Sequence, residues 1–154
     1  MTNKSFQFES VATRLLLAIY GGGRKRASLE DLLGDSDYLE HGIVSFESLQ
    51  SGLSKLTFAG HVREKDGIFS LSEEATAACE RVMRSNPGRQ EWFSGTQRFL
   101  DASAKKYGHA VRPPSSWTYP RVTRAAYERA YSLYYERMQD YISKMSGEGK
   151  SDED

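Results

Sequence analysis

The stretch LSKLTFAGHVREKDGIFSLSEEA, residues 53–75, changes hydrophobic period twice within 23 residues, and it limits the fold more than any other part of the chain. Phe46, Leu49, Leu53 and Leu56 recur every three or four residues, which predicts a helix opened by Ser45 and closed by Gly60. The period then drops to two. Val62 and Arg63 point opposite ways, Phe69 and Leu71 share a face, and Asp66-Gly67 between them is a strong hairpin signal. A further helix starts near Ser72 and runs to about Ser85. A lone two-stranded ribbon is barely stable in water, so this hairpin must lay one face on the neighbouring helices.

Two helices precede that unit. Phe8, Val11, Ala12, Leu15, Leu16 and Ile19 form one apolar face of a helix over residues 6–20, with Ser5 as cap and Gly21-Gly22-Gly23 as stop. Ser28 caps a short second helix with Asp31 at its third position, and Leu29, Leu32 and Leu33 form its buried side. Gly34 ends it, or DSDYLEHG adds another turn. Gly52, inside the third helix, costs about 1 kcal/mol relative to alanine at an exposed position.

SNPG, residues 85–88, is the clearest break. A fifth helix follows over roughly 89–106, with Trp92, Phe93, Thr96, Phe99 and Leu100 inward. RPPSSWTYP is irregular because prolines cannot sit inside a helix. Thr123 then caps a sixth helix to about Met145, with Val122 and Tyr127 as a hydrophobic staple. The acidic end, 146–154, reads as disordered.

Net charge is zero, so no bulk field drives the chain onto DNA or an anionic membrane. Its distribution is uneven: residues 1–86, 87–145 and 146–154 net −2, +5 and −3. One cysteine, no secretory leader and no long apolar run make the reducing cytoplasm the default expectation. Cys79 falls on the apolar side of its helix and reads as a packed core thiol. His41, His61 and His109 have no metal-ligand spacing around them, and no nucleophile, P-loop or dinucleotide motif occurs. An enzyme, a metal and a cofactor are therefore not expected.

The order helix, helix, helix, hairpin, helix resembles the winged helix-turn-helix superfamily over residues 6–86. The residues that carry the resemblance are Leu49, Leu53, Leu56, Gly60, Val62, Asp66, Gly67, Phe69, Leu71 and Ser72. It implies a mainly α fold with a small two-stranded β wing, plus a helical extension over 87–145. It also implies that the third helix enters the major groove of duplex DNA. Ser48, Gln50, Ser51, Ser54 and Lys55, with Glu47, would then face outward. Gln50 suits adenine, and Lys55 suits guanine or phosphate. Arg24, Lys25 and Arg26, just before a helix N-terminus, and Arg63 and Lys65 in the wing are the phosphate candidates.

Tyr127, Tyr131, Tyr134, Met138, Tyr141 and Met145 are spaced four, three, four, three, four, which is a heptad seam widened by Ala130, Tyr135 and Ile142. Phenols suit a half-wet interface, so the seam reads as packing or a homodimer contact. A winged helix with such an extension resembles the PadR-type and related dimeric regulators, from which the RPPSSWTYP insert departs. The leading expectation is a DNA-binding transcriptional regulator acting as a dimer. The alternative is a winged helix used as a protein-binding or assembly module, favoured by the near-neutral charge of the third helix and the wing.

Overall fold

Ser10–Tyr20 form the helix α1, and the other elements are arranged around it. The computed structural model describes residues 6–40, 42, 44–85, 88–110 and 117–151. Ala12, Leu15, Leu16 and Ile19 are buried as the periodicity predicts, and Leu17, Ala18 and Tyr20 on the other side are buried too. A helix apolar all round needs neighbours on every side. It starts at Ser10 rather than residue 6, because Phe6 and Phe8 both turn inward while Gln7 and Glu9 stay exposed. Side chains two apart share a face only in extended backbone. Ser5, the expected cap, lies outside the described residues.

Gly21, at φ +50°, ends α1 and leads through one 3-10 turn into β1, Arg26–Ser28. With β2 (Val62–Lys65) and β3 (Ile68–Leu71) it forms a three-stranded antiparallel sheet in the order β1-β3-β2. The fold is mainly helical and the expected two-stranded wing is present as β2 and β3; β1, with three residues too few to display a period of two, adds a third strand. Asp66 and Gly67, at φ +53° and +82°, make the two-residue turn between β2 and β3. The register places Ala27, Phe69 and Val62 on the buried face, and Arg26, Ser70, Arg63 and Lys65 on the other.

Helix α2, Leu29–Glu40, opens with the expected capping box: Ser28 Oγ accepts from Asp31 N, and Ser28 N donates to Asp31 Oδ2. Gly34 does not end it. The helix continues six residues beyond, and a Cβ at Gly34 would lie 3.0 Å from the ring of Tyr134. Gly34 thus makes room for α6, Arg124–Ser151. Gly52, in α3 (Phe46–Phe58), has a similar reason: a Cβ there would come within 2.6 Å of Leu15, so its absence lets α3 cross α1 closely. Ser45 Oγ caps α3, and Gly60 at φ +79° follows its end.

Helices α4 (Glu73–Ser85) and α5 (Arg89–Ala110) complete the body. Thr13 Oγ1 donates to Gln97 Oε1 at 2.6 Å, tying α1 to α5, and Leu100 is fully buried. One hydrophobic cluster joins α1, α3 and the sheet to Leu100, Tyr119, Val122 and Ala130. The charge change at SNPG is therefore not a boundary in the core; Asn86 and Pro87 themselves, like Pro113 and Pro114, lie outside the described residues. Thr123 Oγ1 accepts from Ala126 N at 3.1 Å, and α6 runs to Ser151, past the expected stop near Met145 and into the acidic end. No described helix is long and apolar enough to cross a membrane.

Leu53 is 0% exposed at the centre of this cluster. Leu53→Ala is expected to cost roughly 2 to 5 kcal/mol in denaturant unfolding, as buried leucine truncations do. A loss below about 0.5 kcal/mol would place Leu53 outside the core.

Candidate functional site

Residues 117–124 of the same chain cross α3, touching it at Phe58, Gln50 and Glu47. Gln50 makes the central contact: its Nε2 donates to the carbonyls of Tyr119 (2.7 Å) and Val122 (2.6 Å), and its Oε1 accepts from Tyr119 N at 3.0 Å. Both amide hydrogens and the carbonyl are used. Tyr119 is buried and its ring lies 6.2 Å from Phe69, while burial, above all, raises the pKa of its phenol. Before it, Trp117 packs against Phe6 and Phe58, at 5.3 and 5.4 Å between ring centroids. After it, Arg121 pairs with Glu64 of β2 at 2.7 Å, so the strap holds the sheet as well as the helix.

Its far end is fixed at the start of α3. Arg124 pairs with Glu47 at 2.9 Å and lies 4.6 Å from the centre of the Phe46 ring. The Glu47 carboxyl is held below its usual pKa by a backbone hydrogen bond first and by Arg124 second. Tyr127 Oη donates to Val44 O at 2.7 Å, and burial raises the pKa of this phenol also.

The residues singled out for DNA are dispersed by these contacts. Gln50 is committed to the strap, and Ser48, Ser51 and Ser54 are half-buried. Lys55 is buried, pairs with Glu9 at 3.2 Å and lies 5.7 Å from the centre of the Trp117 ring. Arg24 folds back to cap α1: it donates to Ala18 O at 3.2 Å, to Arg26 O, and to Asp35 at 2.6 Å. Lys25, at φ +68°, pairs with Glu80. Arg26, Arg63 and Lys65 remain exposed on the outer face of the sheet.

The tyrosine seam divides. Tyr127 and Tyr134 pack within the chain, Tyr134 donating to Asp37 at 2.5 Å; burial first and the Asp37 carboxylate second push its phenol up to about 12. Arg137 pairs with Glu30 at 2.8 Å beside it. Tyr131, Met138, Tyr141 and Met145 are exposed, together with Leu133, Tyr135 and Ile142. Tyr131 and Tyr135 stack at 6.5 Å.

His61 and Ser103 form a buried pair, 2.7 Å apart, beneath the rings of Phe8 and Phe99. Burial lowers the His61 pKa, with Glu74 opposing it weakly. Cys79 is fully buried, and its thiol is pushed up to about 12, mainly by that burial. Among the described residues, no group of three His, Cys, Asp or Glu side chains is placed to hold a metal ion. His41 lies outside the described residues. No family model matches the chain, and no curated protein or solved structure matches it.

Two outcomes follow from these contacts. Gln50→Ala leaves three polar backbone groups at a covered site without their partner and is expected to cost about 1 to 3 kcal/mol. Arg124→Ala, at an exposed pair, should stay within about 0.5 kcal/mol; equal losses in denaturant unfolding would contradict the central role of Gln50. For His61 the folded pKa lies below the unfolded value near 6.5, so the unfolded chain binds more protons as pH falls through and below that value. Stability should fall with acidification from about pH 6.5, and His61→Gln should flatten that part of the profile. An unchanged slope in the variant would remove His61 as its source.

Proposed function

We propose that this chain is a winged-helix protein that works as a protein-binding assembly module, with α6 as its docking element, rather than as a reader of bases through α3. The observation that carries the reading is the engagement of Gln50 by Tyr119 and Val122. To present α3 to a major groove the chain would break three hydrogen bonds, each worth about 1 kcal/mol, and expose Tyr119 and Val122. A Gln–adenine pair returns only about 1 to 3 kcal/mol of discrimination. Lys55, the cation of that helix, is already buried against Glu9 and Trp117. Arg26, Arg63 and Lys65 on the sheet supply at most about three phosphate contacts, a weak electrostatic footprint.

The opposite condition holds on α6. Its second half presents tyrosine, methionine and isoleucine to solvent, where contiguous apolar surface marks an interaction site.

Fluorescence anisotropy with a mixed-sequence duplex near 50 mM salt, where phosphate contacts are strongest, tests this. The expected result is binding no tighter than the non-specific range of about 10⁻⁴ to 10⁻⁶ M. Submicromolar, sequence-dependent binding that Gln50→Ala relaxes at one base position would instead favour the DNA-binding regulator.

A further inference from the structure

Tyr131, Tyr135, Met138, Ile142 and Met145 are spaced four, three, four, three along α6 and lie on one face of it. The contact that joins α6 to the body runs through Ala130, Tyr134 and Arg137 and faces α2; of the stripe, Met138 also borders α2, beside Glu30 and Asp37. From Gln139 to Ser146 every side chain is exposed. Most helical stability in proteins comes from packing of an apolar face, and the projecting half of α6 draws none from the described residues, which give that face no cover.

We propose that the cover is a second copy of this chain, seated with its α6 antiparallel to the first about Met138. This identifies the partner of the docking element proposed above and rests on that reading. Three features favour the second copy in this orientation. The five stripe residues are 36% to 56% exposed, roughly 450 Å² per chain, which is the size of a small two-helix contact rather than of a standard interface. Tyr131 and Met145 lie seven residues either side of Met138, and Tyr135 and Ile142 three and four, so one two-fold axis near Met138 serves both copies to within one residue. Antiparallel pairing sets Tyr131 against the partner's Met145 and Tyr135 against the partner's Ile142, each phenol ring against an aliphatic or thioether side chain.

Parallel pairing would instead set Tyr131 on Tyr131 and Tyr135 on Tyr135. It would also bring together two copies of residues 146–154, which carry four acids against one lysine. In the antiparallel arrangement the two acidic segments belong to opposite ends of the pair, which avoids that like-charge repulsion.

Disulfide trapping in the full-length protein tests the pairing, with the parent chain as control because Cys79 is buried and its thiol is held protonated. Under oxidised glutathione, Met138→Cys alone should cross-link, since that position meets itself. Tyr131→Cys mixed with Met145→Cys should give several-fold more cross-linked dimer than either alone, because antiparallel Tyr131 positions are about 20 Å apart. Ile142→Glu should convert a sedimenting dimer to monomer. Cross-linking of Tyr131→Cys alone would overturn the orientation. A monomeric parent protein would overturn the second copy as the partner, and a dimer that Met138→Cys does not trap would overturn the pairing of α6 about Met138; the assembly-module reading itself stands or falls on the duplex-binding measurement.

Discussion

Gln50 holds Tyr119 and Val122 against α3 with the whole of its side-chain amide, and the disposition of the C-terminal third of the chain depends on that contact. Val122 and Thr123 immediately precede α6, so fixing Val122 fixes where that helix begins and in what direction it leaves. Arg121 on Glu64 and Arg124 on Glu47 flank the clamp, but both arginines are largely exposed and such pairs contribute little. The half-buried, fully paired amide is the stronger constraint, because losing it leaves three part-buried polar groups without their partner.

Once its start is fixed, α6 meets α2 through an absence. Gly34 leaves the space that the Tyr134 ring fills, and Asp37 and Glu30 on α2 take the Tyr134 hydroxyl and Arg137. One side of α6 is thereby used up inside the chain over its first half. The stripe from Tyr131 to Met145 is exposed, with only Met138 bordering α2, and it is this division that makes α6 both an internal strut and the proposed docking surface. The same heptad spacing serves two environments: Tyr127 and Tyr134 are hydrogen-bonded to the body, whereas Tyr141 and Met145 reach solvent.

What the sequence alone makes legible here is what depends on near neighbours. Ser28 with Asp31, Ser45 at α3, Asp66-Gly67 in the hairpin, Ser72 at α4 and Thr123 at α6 all act within four residues, and each is where its local pattern places it. The misreadings that bear on the site share one cause, a partner far along the chain. Gln50 meets groups 69 and 72 residues away, and Lys55 meets Glu9 across 46. On a helical wheel both are ordinary polar positions, and Gly34 looks like a stop until Tyr134 is beside it. β1 exists because β3 offers it an edge, which three residues cannot announce. The signal that pointed toward the strap was Trp117 and Tyr119 in the proline-rich insert, two aromatic rings that need burial and whose cover no local spacing identifies.

The central claim is that Gln50 on α3 is engaged by its own chain, and its side-chain amide reports on it directly. In an isotope-labelled sample, its Nε2 protons can be assigned and their exchange with water measured by NMR. The expected result is slow exchange, two resolved and shifted protons, and cross-relaxation to Tyr119 and Val122. Fast exchange at solvent-averaged shifts, with no contact to either residue, would contradict it and leave α3 open.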